Sequence, residues 1–474
     1  MGESRQGAYD LLINQAKMVL DSNWTGEYTK PGPRLYPHQW SWDSAFIAIG
    51  YARYSQERAI SELEHLFENQ WENGLVPQIV FNPDFDGYFP GMSFWHAQCS
   101  GSAQCKFNTS GVVQPPLHAT AALRVYRHAV DSEGALAFLE EVFPRLVAWH
   151  EYLYRERDPE GEGLVYIRHP WESGMDNSPM WDQILQRIQL KPDQIPKYQR
   201  ADTHVVPKED RPEEAAYNRF AYLVQLFGER DYEEARIRED CPFLVQDVLF
   251  NALLCQAEQD LAQIARILGS DPSTHEARAA KTAAAVDRKL WDEEHGIYLD
   301  FDLNTYQPIH VYVAAGFLPL YAGISDGERA RRLLDSLQNS GFSLGDESLI
   351  PVPSYDRYGY GFSPVRYWRG PVWINIDWLL MRGFERYGFR EQAQRLRQTI
   401  VRLVQNGGFH EYFDPLTGSG HGSNFFSWTA ALLLDVLMDE AKGLKLSQTS
   451  QSIAVALRLG KSEQKEDYAR QDEI

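Results

Sequence analysis

Cysteines are few in this sequence and long apolar runs are missing, and each absence excludes a class of protein. The four cysteines among 474 residues form no Cys-x-x-Cys pair, which predicts reduced thiols rather than a disulfide framework. No apolar run reaches the roughly 18 residues that a transmembrane helix needs. Residues 1–9 lack the apolar segment of a secretory signal, so we expect a cytoplasmic protein.

Positive charge is also scarce. The chain carries 46 basic and 66 acidic residues, which gives a formal net charge of −20. A field of this sign repels phosphate backbones and anionic lipid surfaces, so we expect neither nucleic acid nor a membrane as a partner. An anionic small substrate would need a local arginine to overcome the field, and the sequence leaves both a monomer and a homo-oligomer open.

Sequence motifs for phosphate, dinucleotide and metal binding are missing. No glycine-rich phosphate loop or Rossmann fingerprint occurs, and the 13 histidines show no zinc-ligand spacing, so we expect no cofactor and no metal. Aromatic residues are abundant instead, at 13% of the chain with 13 Trp and 25 Tyr. Indole faces pack well against sugar rings, although a large aromatic core explains some of these residues.

Helices that end in a glycine followed by an apolar residue recur along the chain. The five pairs are Gly74-Leu75, Gly163-Leu164, Gly296-Ile297, Gly341-Phe342 and Gly408-Phe409. Glycine just past a helix is the usual C-terminal cap. The spacing of the pairs is too uneven for a solenoid, but about six helical hairpins can close into a ring. The more apolar segments, 243–268 and 425–437, suit its inner helices.

The expected fold is therefore all-α, with small β-hairpins and long loops at one mouth of the ring. Short β-like runs at 76–81, 164–167 and 297–301 predict the hairpins. The irregular stretches 82–111 and 191–212 have the length and composition of lids or binding loops. We expect one domain over 1–442 and a polar tail over 443–474 with one short strand at 453–459.

The strongest chemical signal is the segment His-Pro-Trp-Glu-Ser-Gly-Met-Asp-Asn-Ser-Pro-Met-Trp at 169–181. Pro170 and Pro179 exclude a continuous helix, so the segment predicts a loop that holds Asp176 beside tryptophans. Partial desolvation there favours the protonated carboxyl, as a general acid requires. The alternative is helix capping, because Asp-Asn-Ser-Pro is also a good N-terminal cap followed by proline at the first helical position.

Three further blocks combine aromatic residues with polar or charged ones. Glu411 lies in Gly-Gly-Phe-His-Glu-Tyr-Phe-Asp-Pro, and a pair of carboxyls facing one cleft is the minimum equipment of a glycosidase. The alternative for Glu411 is a surface acid in a turn that ends at Pro415. The block 36–43 predicts a second loop of aromatic residues and an acid, or else a helix cap at Asp43 with the tryptophans in the core. The block 367–378, with three tryptophans and one arginine, suits a polyol, or else begins a core helix that buries Trp378.

Together, these four blocks resemble glycoside hydrolase family 63, in order and over most of the chain. The resemblance implies an (α/α)6 barrel, a general acid at Asp176, a general base at Glu411 and inversion at the anomeric carbon. The short single-domain members that this chain is most similar to are glucosylglycerate and mannosylglycerate hydrolases. We therefore expect cleavage of α-glucosylglycerate, and of α-mannosylglycerate as a further substrate.

The resemblance also implies a set of substrate contacts. Those expected around the sugar are Tyr36, Trp40, Trp42, Asp43, Gln78, Trp171, Gly174, Tyr367, Trp368 and Trp373, and those expected around the glycerate are Tyr88, Gln114 and Arg219. Two alternatives stay open, an α-glucosidase or trehalase-like hydrolase of neutral oligosaccharides and a non-catalytic sugar-binding barrel. Arg219 facing the pocket would favour the glycerate substrate over the neutral ones.

Overall fold

A computed structural model describes residues 2–85, 87–103 and 105–439. Most of these residues are helical. The helices are α1 (Gly2–Asn23), α2 (Ser41–Tyr51), α3 (Gln56–Phe67), α4 (Met92–Trp95), α5 (His118–His128), α6 (Ser132–Arg157), α7 (Asp182–Arg187), α8 (Glu214–Glu229), α9 (Glu234–Asp240), α10 (Val248–Ile267), α11 (Ser273–Lys289), α12 (Pro319–Ala322), α13 (Gly327–Asn339), α14 (Ile374–Tyr387), α15 (Arg390–Gly407) and α16 (427–439).

The strands are short and form four small antiparallel sheets. Their bounds are β1 (Gln39–Trp40), β2 (Ile79–Val80), β3 (Val245–Gln246), β4 (Trp291–Asp292), β5 (Ile297–Tyr298), β6 (Phe301–Asp302), β7 (Gln307–Pro308), β8 (His410–Phe413) and β9 (Gly420–Asn424). β1 pairs with β2, β4 with β5 and β8 with β9, and β6 lies between β3 and β7.

Neighbouring helices form antiparallel pairs in which one member is much more buried than the other. The pairs are α2 with α3, α5 with α6, α10 with α11, and α14 with α15. Every residue of α2 is buried because its sequence, Ser-Trp-Asp-Ser-Ala-Phe-Ile-Ala-Ile-Gly-Tyr, is almost continuously apolar. α3 instead alternates apolar and charged residues at helical spacing and buries one face only.

The buried members pack side by side. Contacts run from α2 to α5, α10, α12 and α14 in turn. α16 then contacts both ends of this row: the Trp378 indole of α14 donates to Asp435 at 2.9 Å, and α16 approaches α2 at Gly50. A Cβ at Gly50 would lie 2.4 Å from the Ala431 Cα, so only glycine allows this closeness. The inner helices therefore close on themselves.

Helix capping is local and readable in the sequence. Asp131 accepts from the Gly134 backbone N–H at the start of α6, and Asp247 accepts from Phe250 N at 2.6 Å at the start of α10. Asp326 caps α13 in the same way. Each carboxylate pairs with a backbone N–H group that has no partner within the helix.

The predicted helices and two of the three hairpin segments are found. Residues 164–167 differ: they form a single bridge, between Ile167 and Val245, because the neighbouring backbone groups bond to side chains. The lid segment 191–212 contains three short 3₁₀ turns. The strand expected at 453–459 lies outside the described residues. Within the described part, no helix is both long and apolar enough to cross a membrane.

Candidate active site

One cavity gathers most of the residues that the sequence singled out. It opens where the inner helices α2, α5 and α14 begin, between the loops that precede them. The expected residues that line it are Tyr36, Trp40, Trp42, Asp43, Gln78, Tyr88, Gln114, Trp171, Gly174, Asp176, Tyr367, Trp368 and Glu411. Segments that are distant in the chain therefore meet at one site.

Asp176 lies on a tight loop that follows the 3₁₀ turn Pro170–Ser173. Gly174 ends this turn with φ of 73°, and a Cβ there would lie 2.6 Å from the Trp42 ring, so a larger residue would push the loop out of the cavity. Ser178, before the next turn, makes no side-chain cap. The helix-capping alternative therefore finds no support in the hydrogen bonds of this loop.

Burial raises the pKa of the Asp176 carboxyl to about 7, although the positive charge of Arg211 opposes the shift. A carboxyl in this state carries a proton in a large fraction of molecules at neutral pH. Asp176 keeps some exposure because its side chain faces the cavity. It can therefore donate a proton to a bound molecule.

Glu172 in the same loop has the opposite character. Its two carboxylate oxygens accept from the Arg157 guanidinium at 2.9 Å each, and from the backbone N–H groups of Arg168 and Val113. Burial alone would raise the pKa of Glu172, but the adjacent Arg157 outweighs it and lowers the pKa. Glu172 is thus a buried anion that ties the Asp176 loop to the segment carrying Gln114.

Glu411 belongs to β8, and its side chain is 1% exposed. The Tyr36 hydroxyl donates to its Oε1 at 2.6 Å, and the Ser423 backbone N–H donates to its Oε2 at 2.9 Å. Burial raises the pKa of Glu411, while Arg211 and these donors oppose the increase. Both oxygens are held, so the carboxylate has a fixed direction toward the cavity. This burial excludes the surface-turn alternative.

Asp43 is the third acid of the cavity. It lies in the first turn of α2 and is 5% exposed. Burial and the nearby Glu411 and Asp176 hold its pKa well above the ordinary range. The side chain makes no cap of α2, which begins at Ser41 after an uncapped Trp40. The cap alternative for Asp43 is therefore wrong.

Aromatic rings form the walls. Trp40 packs edge-to-face against Tyr36 at 5.2 Å and against Tyr88 at 5.3 Å between ring centroids. Trp368 lies at the cavity, but Trp373 does not line it: its indole stacks behind Trp368 with centroids 3.7 Å apart. The expected contact of Trp373 with the sugar is thus corrected, since Trp368 covers it.

Arg219 is the second correction. Its guanidinium donates to the backbone carbonyls of Ile188 and Ala215 and lines a neighbouring cavity beside Arg369, not the one that holds Asp176. Arg219 is on α8 and turns away from the site. In this structure Arg219 is therefore not placed to contact a carboxylate bound in the cavity of Asp176.

Arg211, which the sequence analysis did not single out, lines the cavity instead. It is 8% exposed, its Nη1 donates to the Tyr36 hydroxyl at 3.3 Å, and its guanidinium lies 4.3 Å from the centre of the Tyr367 ring. Asp202 holds its Nε at 3.1 Å. A signal for it is present in the sequence, because Arg211 lies at the end of the segment 191–212, whose length and composition predict a lid or a binding loop.

Other cavity residues were also missed. They are Ile79, Pro90, Trp95, Pro212, Tyr217, Phe426 and Trp428. All seven are apolar or aromatic, and none lies in the four blocks that the sequence analysis singles out. Residues of this kind are indistinguishable from core residues in a single sequence.

The chain matches the family model for the mannosylglycerate hydrolase MGH1-like glycoside hydrolase domain over residues 36–429. It belongs to this family of glycoside hydrolases. The matched segment begins at Tyr36 and ends just after Trp428, so it spans the cavity from its first residue to its last. The resemblance to glycoside hydrolase family 63 is confirmed.

Three relatives of this MGH1-like chain show how close the match is. A mannosylglycerate hydrolase of Rubrobacter radiotolerans is 65% identical over 428 residues, which cover 90% of this chain and 97% of the relative. A glucosylglycerate hydrolase of Mycolicibacterium hassiacum is 38% identical over 441 residues, with 90% and 97% covered. A crystal structure of the GH63 mannosylglycerate hydrolase of Thermus thermophilus with Tris and D-glycerate has a TM-score of 0.84 at 42% identity, covering 90% of this chain and 99% of that one.

Proposed function

We propose that this chain is an inverting hydrolase of α-mannosylglycerate and α-glucosylglycerate, built on an (α/α)6 barrel. The observation that carries the proposal is the cavity itself: two carboxyls, of the half-buried Asp176 and the buried Glu411, share aromatic walls with one buried guanidinium, Arg211. The substrates named for the relatives, a hexose joined to glycerate, match this combination. The closed row of inner helices with outer partners supports the barrel.

Asp176 is the general acid in this proposal. Its raised pKa leaves it protonated near neutral pH, so it can protonate the glycosidic oxygen as that bond breaks. Glu411 is the general base and takes a proton from the attacking water. In an inverting enzyme the water enters from the face of the sugar opposite the acid, which requires a gap of about 6.5–9.5 Å between the two carboxyls.

The remaining lining residues supply binding. Aromatic faces such as Trp40 and Trp368 pack against the hexose, while Asp43 and Gln78 offer hydrogen bonds to its hydroxyls. Tyr88, Gln114 and Arg211 surround the place for the glycerate, with Arg211 in the role first expected of Arg219. A charge-assisted contact between guanidinium and carboxylate contributes roughly 1.5–3 kcal/mol.

Substrate assays test the activity. The purified protein is incubated with α-mannosylglycerate, α-glucosylglycerate, trehalose and kojibiose, and released hexose is measured. We expect hydrolysis of the two hexosylglycerates and little release from the neutral disaccharides. Preferential release from trehalose or kojibiose would favour the neutral-oligosaccharide alternative, and no release from any of them would favour a sugar-binding protein.

Stereochemistry tests the mechanism separately. Proton NMR of the first product should show the β-hexose from an α-linked substrate, before mutarotation equilibrates the anomers. Early α-hexose would instead require a covalent intermediate and carboxyls only about 5–5.5 Å apart.

A further inference from the structure

The ionisable groups that line the cavity are unequal in sign, tyrosines aside. Among the described lining residues, the carboxyls of Asp43, Asp176 and Glu411 face one guanidinium, that of Arg211. Asp202 contacts Arg211 from outside the lining, but it is itself paired with Arg200 at 2.6 Å. The charge of Arg211 therefore remains largely available to the cavity.

Arg211 is coupled to both carboxyls that act in the proposed reaction. A short chain of hydrogen bonds runs from Arg211 Nη1 through the Tyr36 hydroxyl to Glu411 Oε1. Its charge is the largest influence that opposes burial at Asp176 and at Glu411, and it lowers the pKa of each. Whatever neutralises Arg211 must therefore raise both pKa values.

The other titratable groups around Asp176 act in the same direction or stay neutral. Glu411 raises the pKa of Asp176, and Asp176 in turn raises that of Asp43, since like charges repel. The hydroxyls of Tyr88 and Tyr367 also sense the Asp176 charge, and burial raises the pKa of each, so both remain protonated at neutral pH. No second cation among the described lining residues opposes these effects.

We propose that the substrate's own carboxylate promotes protonation of the catalytic acid. When a hexosylglycerate pairs with Arg211, Asp176 takes up one proton from solvent. The inference rests on the proposed function and deepens it. The substrate brings a negative charge into a buried cavity that already holds three carboxyls, and it cancels the one cation that favours their ionised forms. Asp176 faces the cavity and is the member placed to accept and then deliver that proton.

Each proton that is taken up in the proposed reaction cycle is also released. The proton on Asp176 passes to the glycosidic oxygen as the bond to the anomeric carbon breaks. The attacking water forms the new bond to that carbon and gives a proton to Glu411, which later returns it to solvent. The transfer leaves Asp176 as an anion. Glycerate then leaves as an anion and frees Arg211, whose charge favours the ionised form of Asp176 until the next substrate binds. The glycerate charge thus contributes to kcat as well as to binding.

Calorimetric titration with D-glycerate tests the proposal without turnover. The heat of binding is measured at pH 8 in buffers of different ionisation enthalpy, which yields the number of protons taken up. With the pKa of Asp176 at about 7, most molecules begin ionised at this pH, so we expect an uptake close to one proton per D-glycerate. Asp176→Asn should bind D-glycerate with almost no uptake, whereas Arg219→Met, altered outside the cavity, should match wild type.

The outcomes separate this proposal from the proposed function. Binding of D-glycerate without proton uptake overturns the proposed protonation of Asp176 on binding and leaves the hydrolase proposal intact. Uptake that persists in Asp176→Asn overturns it equally, because the proton then goes elsewhere. Failure of D-glycerate to bind the wild type overturns the proposed pairing with Arg211 and the proton uptake, while the release of hexose from the hexosylglycerates decides separately on the proposed function.

A kinetic readout covers the case in which Asp176→Asn misfolds. The basic limb of the kcat profile should lie at higher pH for α-glucosylglycerate than for neutral α-glucosylglycerol, because the glycerate keeps Asp176 protonated. Coincident basic limbs for the two substrates would overturn the proposal.

Discussion

Two clusters of buried charge lie toward opposite ends of the inner helices, and they differ in how many arginines accompany the acids. The first, the cavity cluster, consists of Asp43, Asp176, Glu411 and Arg211, and it lies where the inner helices begin. Three acids face one arginine there. The effect of burial therefore exceeds that of the Arg211 charge, and the pKa values of all three carboxyls are raised.

The second, the closing cluster, consists of Asp435, Asp439, Arg53, Arg124 and Arg382. Asp435 on α16 is fully buried and lies 3.0 Å from Arg124 and 3.6 Å from Arg53, with Arg382 also in contact. Burial raises the pKa of Asp435, but these arginines outweigh it and hold the pKa well below the ordinary range. Here every carboxylate is compensated.

The difference shows that, within these two clusters, the number of arginines near the acids, rather than burial alone, decides whether the acids stay ionised. The closing cluster keeps its acids ionised and joins α2, α5, α14 and α16, so it serves stability. The cavity cluster leaves its acids partly uncompensated, which costs stability and raises the pKa of each carboxyl, that of Asp176 to about 7. Substitutions in each cluster should separate the two roles.

The largest effect is expected from removing the proton-transfer groups of the cavity cluster. Asp176→Asn and Glu411→Gln should each lower kcat by about 10²–10⁴-fold, because each removes one general acid or base. Steady-state kinetics on α-mannosylglycerate measures the loss, and circular dichroism checks the fold. Near-wild-type turnover in either variant would remove that residue from the mechanism.

A change in the closing cluster should affect stability instead. Asp435→Asn leaves the three arginines with Asp439 as the remaining acid of the cluster and with Glu385 as a further partner of Arg382 alone, so we expect a loss of about 3–5 kcal/mol in the free energy of unfolding. Urea denaturation measures it, with kcat nearly unchanged below the melting temperature. Glu68→Gln is the matched control, because Glu68 pairs with Lys106 on the solvent-exposed surface and such pairs contribute about 0–1 kcal/mol.

The closing cluster also predicts a pH dependence. The folded pKa of Asp435 lies below its unfolded value, so its contribution is complete above the unfolded pKa of about 3.9 and is lost as the pH falls through the folded pKa. Wild type should therefore lose more stability below pH 4 than Asp435→Asn does. Parallel acid-denaturation curves for the two proteins would contradict this assignment.

Specificity should depend on Arg211 and not on Arg219. Wild type should prefer α-glucosylglycerate over α-glucosylglycerol by about ten- to hundredfold in kcat/KM, as expected of one charge-assisted contact. Arg211→Met should lose most of this preference, while Arg219→Met should keep it. If Arg219→Met lost the preference and Arg211→Met kept it, the glycerate would be assigned to Arg219 after all.

The smallest effect concerns the stability cost of the cavity cluster. The folded pKa of Asp176 is raised to about 7, so the stability associated with its neutral form is present below the unfolded pKa of about 3.9 and is lost as pH rises to 7. Asp176→Asn cannot ionise, so it should gain stability relative to wild type between pH 5 and pH 8. Urea denaturation measures the difference in the free energy of unfolding between the two proteins. An equal difference at pH 5 and pH 8 would contradict the proposed stability cost of ionising Asp176.

Much of the fold followed from the sequence because its signals are local. The Gly-apolar helix ends, the apolar segment 243–268 and the Pro-bounded loop at 169–181 each report on neighbouring residues only. A ring of helical hairpins could be anticipated, but the contact of Gly50 with Ala431 could not, since it joins residues almost 400 positions apart and depends on backbone approach.

The site residues likewise divide into those that the sequence identifies and those that only the structure identifies. Asp176 and Glu411 stood out because each lies in a loop rich in aromatic residues. Arg211 and Arg219 are eight positions apart, and only the path of the chain decides which one faces the cavity: Arg211 lies at the end of the lid segment, whereas Arg219 follows two turns into α8. Trp373 likewise could not be distinguished from Trp368, because stacking hides one behind the other.

The pH dependence of kcat/KM for α-mannosylglycerate tests most directly whether an undercompensated cavity supplies the catalytic acid. This ratio reports the ionisation of the free enzyme. With the pKa of Asp176 at about 7, kcat/KM should fall about tenfold per pH unit above that value, while circular dichroism shows an intact fold. A kcat/KM that stays constant from pH 6 to pH 9 would contradict the account, because the acid would then not titrate where the charge balance of the cavity places it.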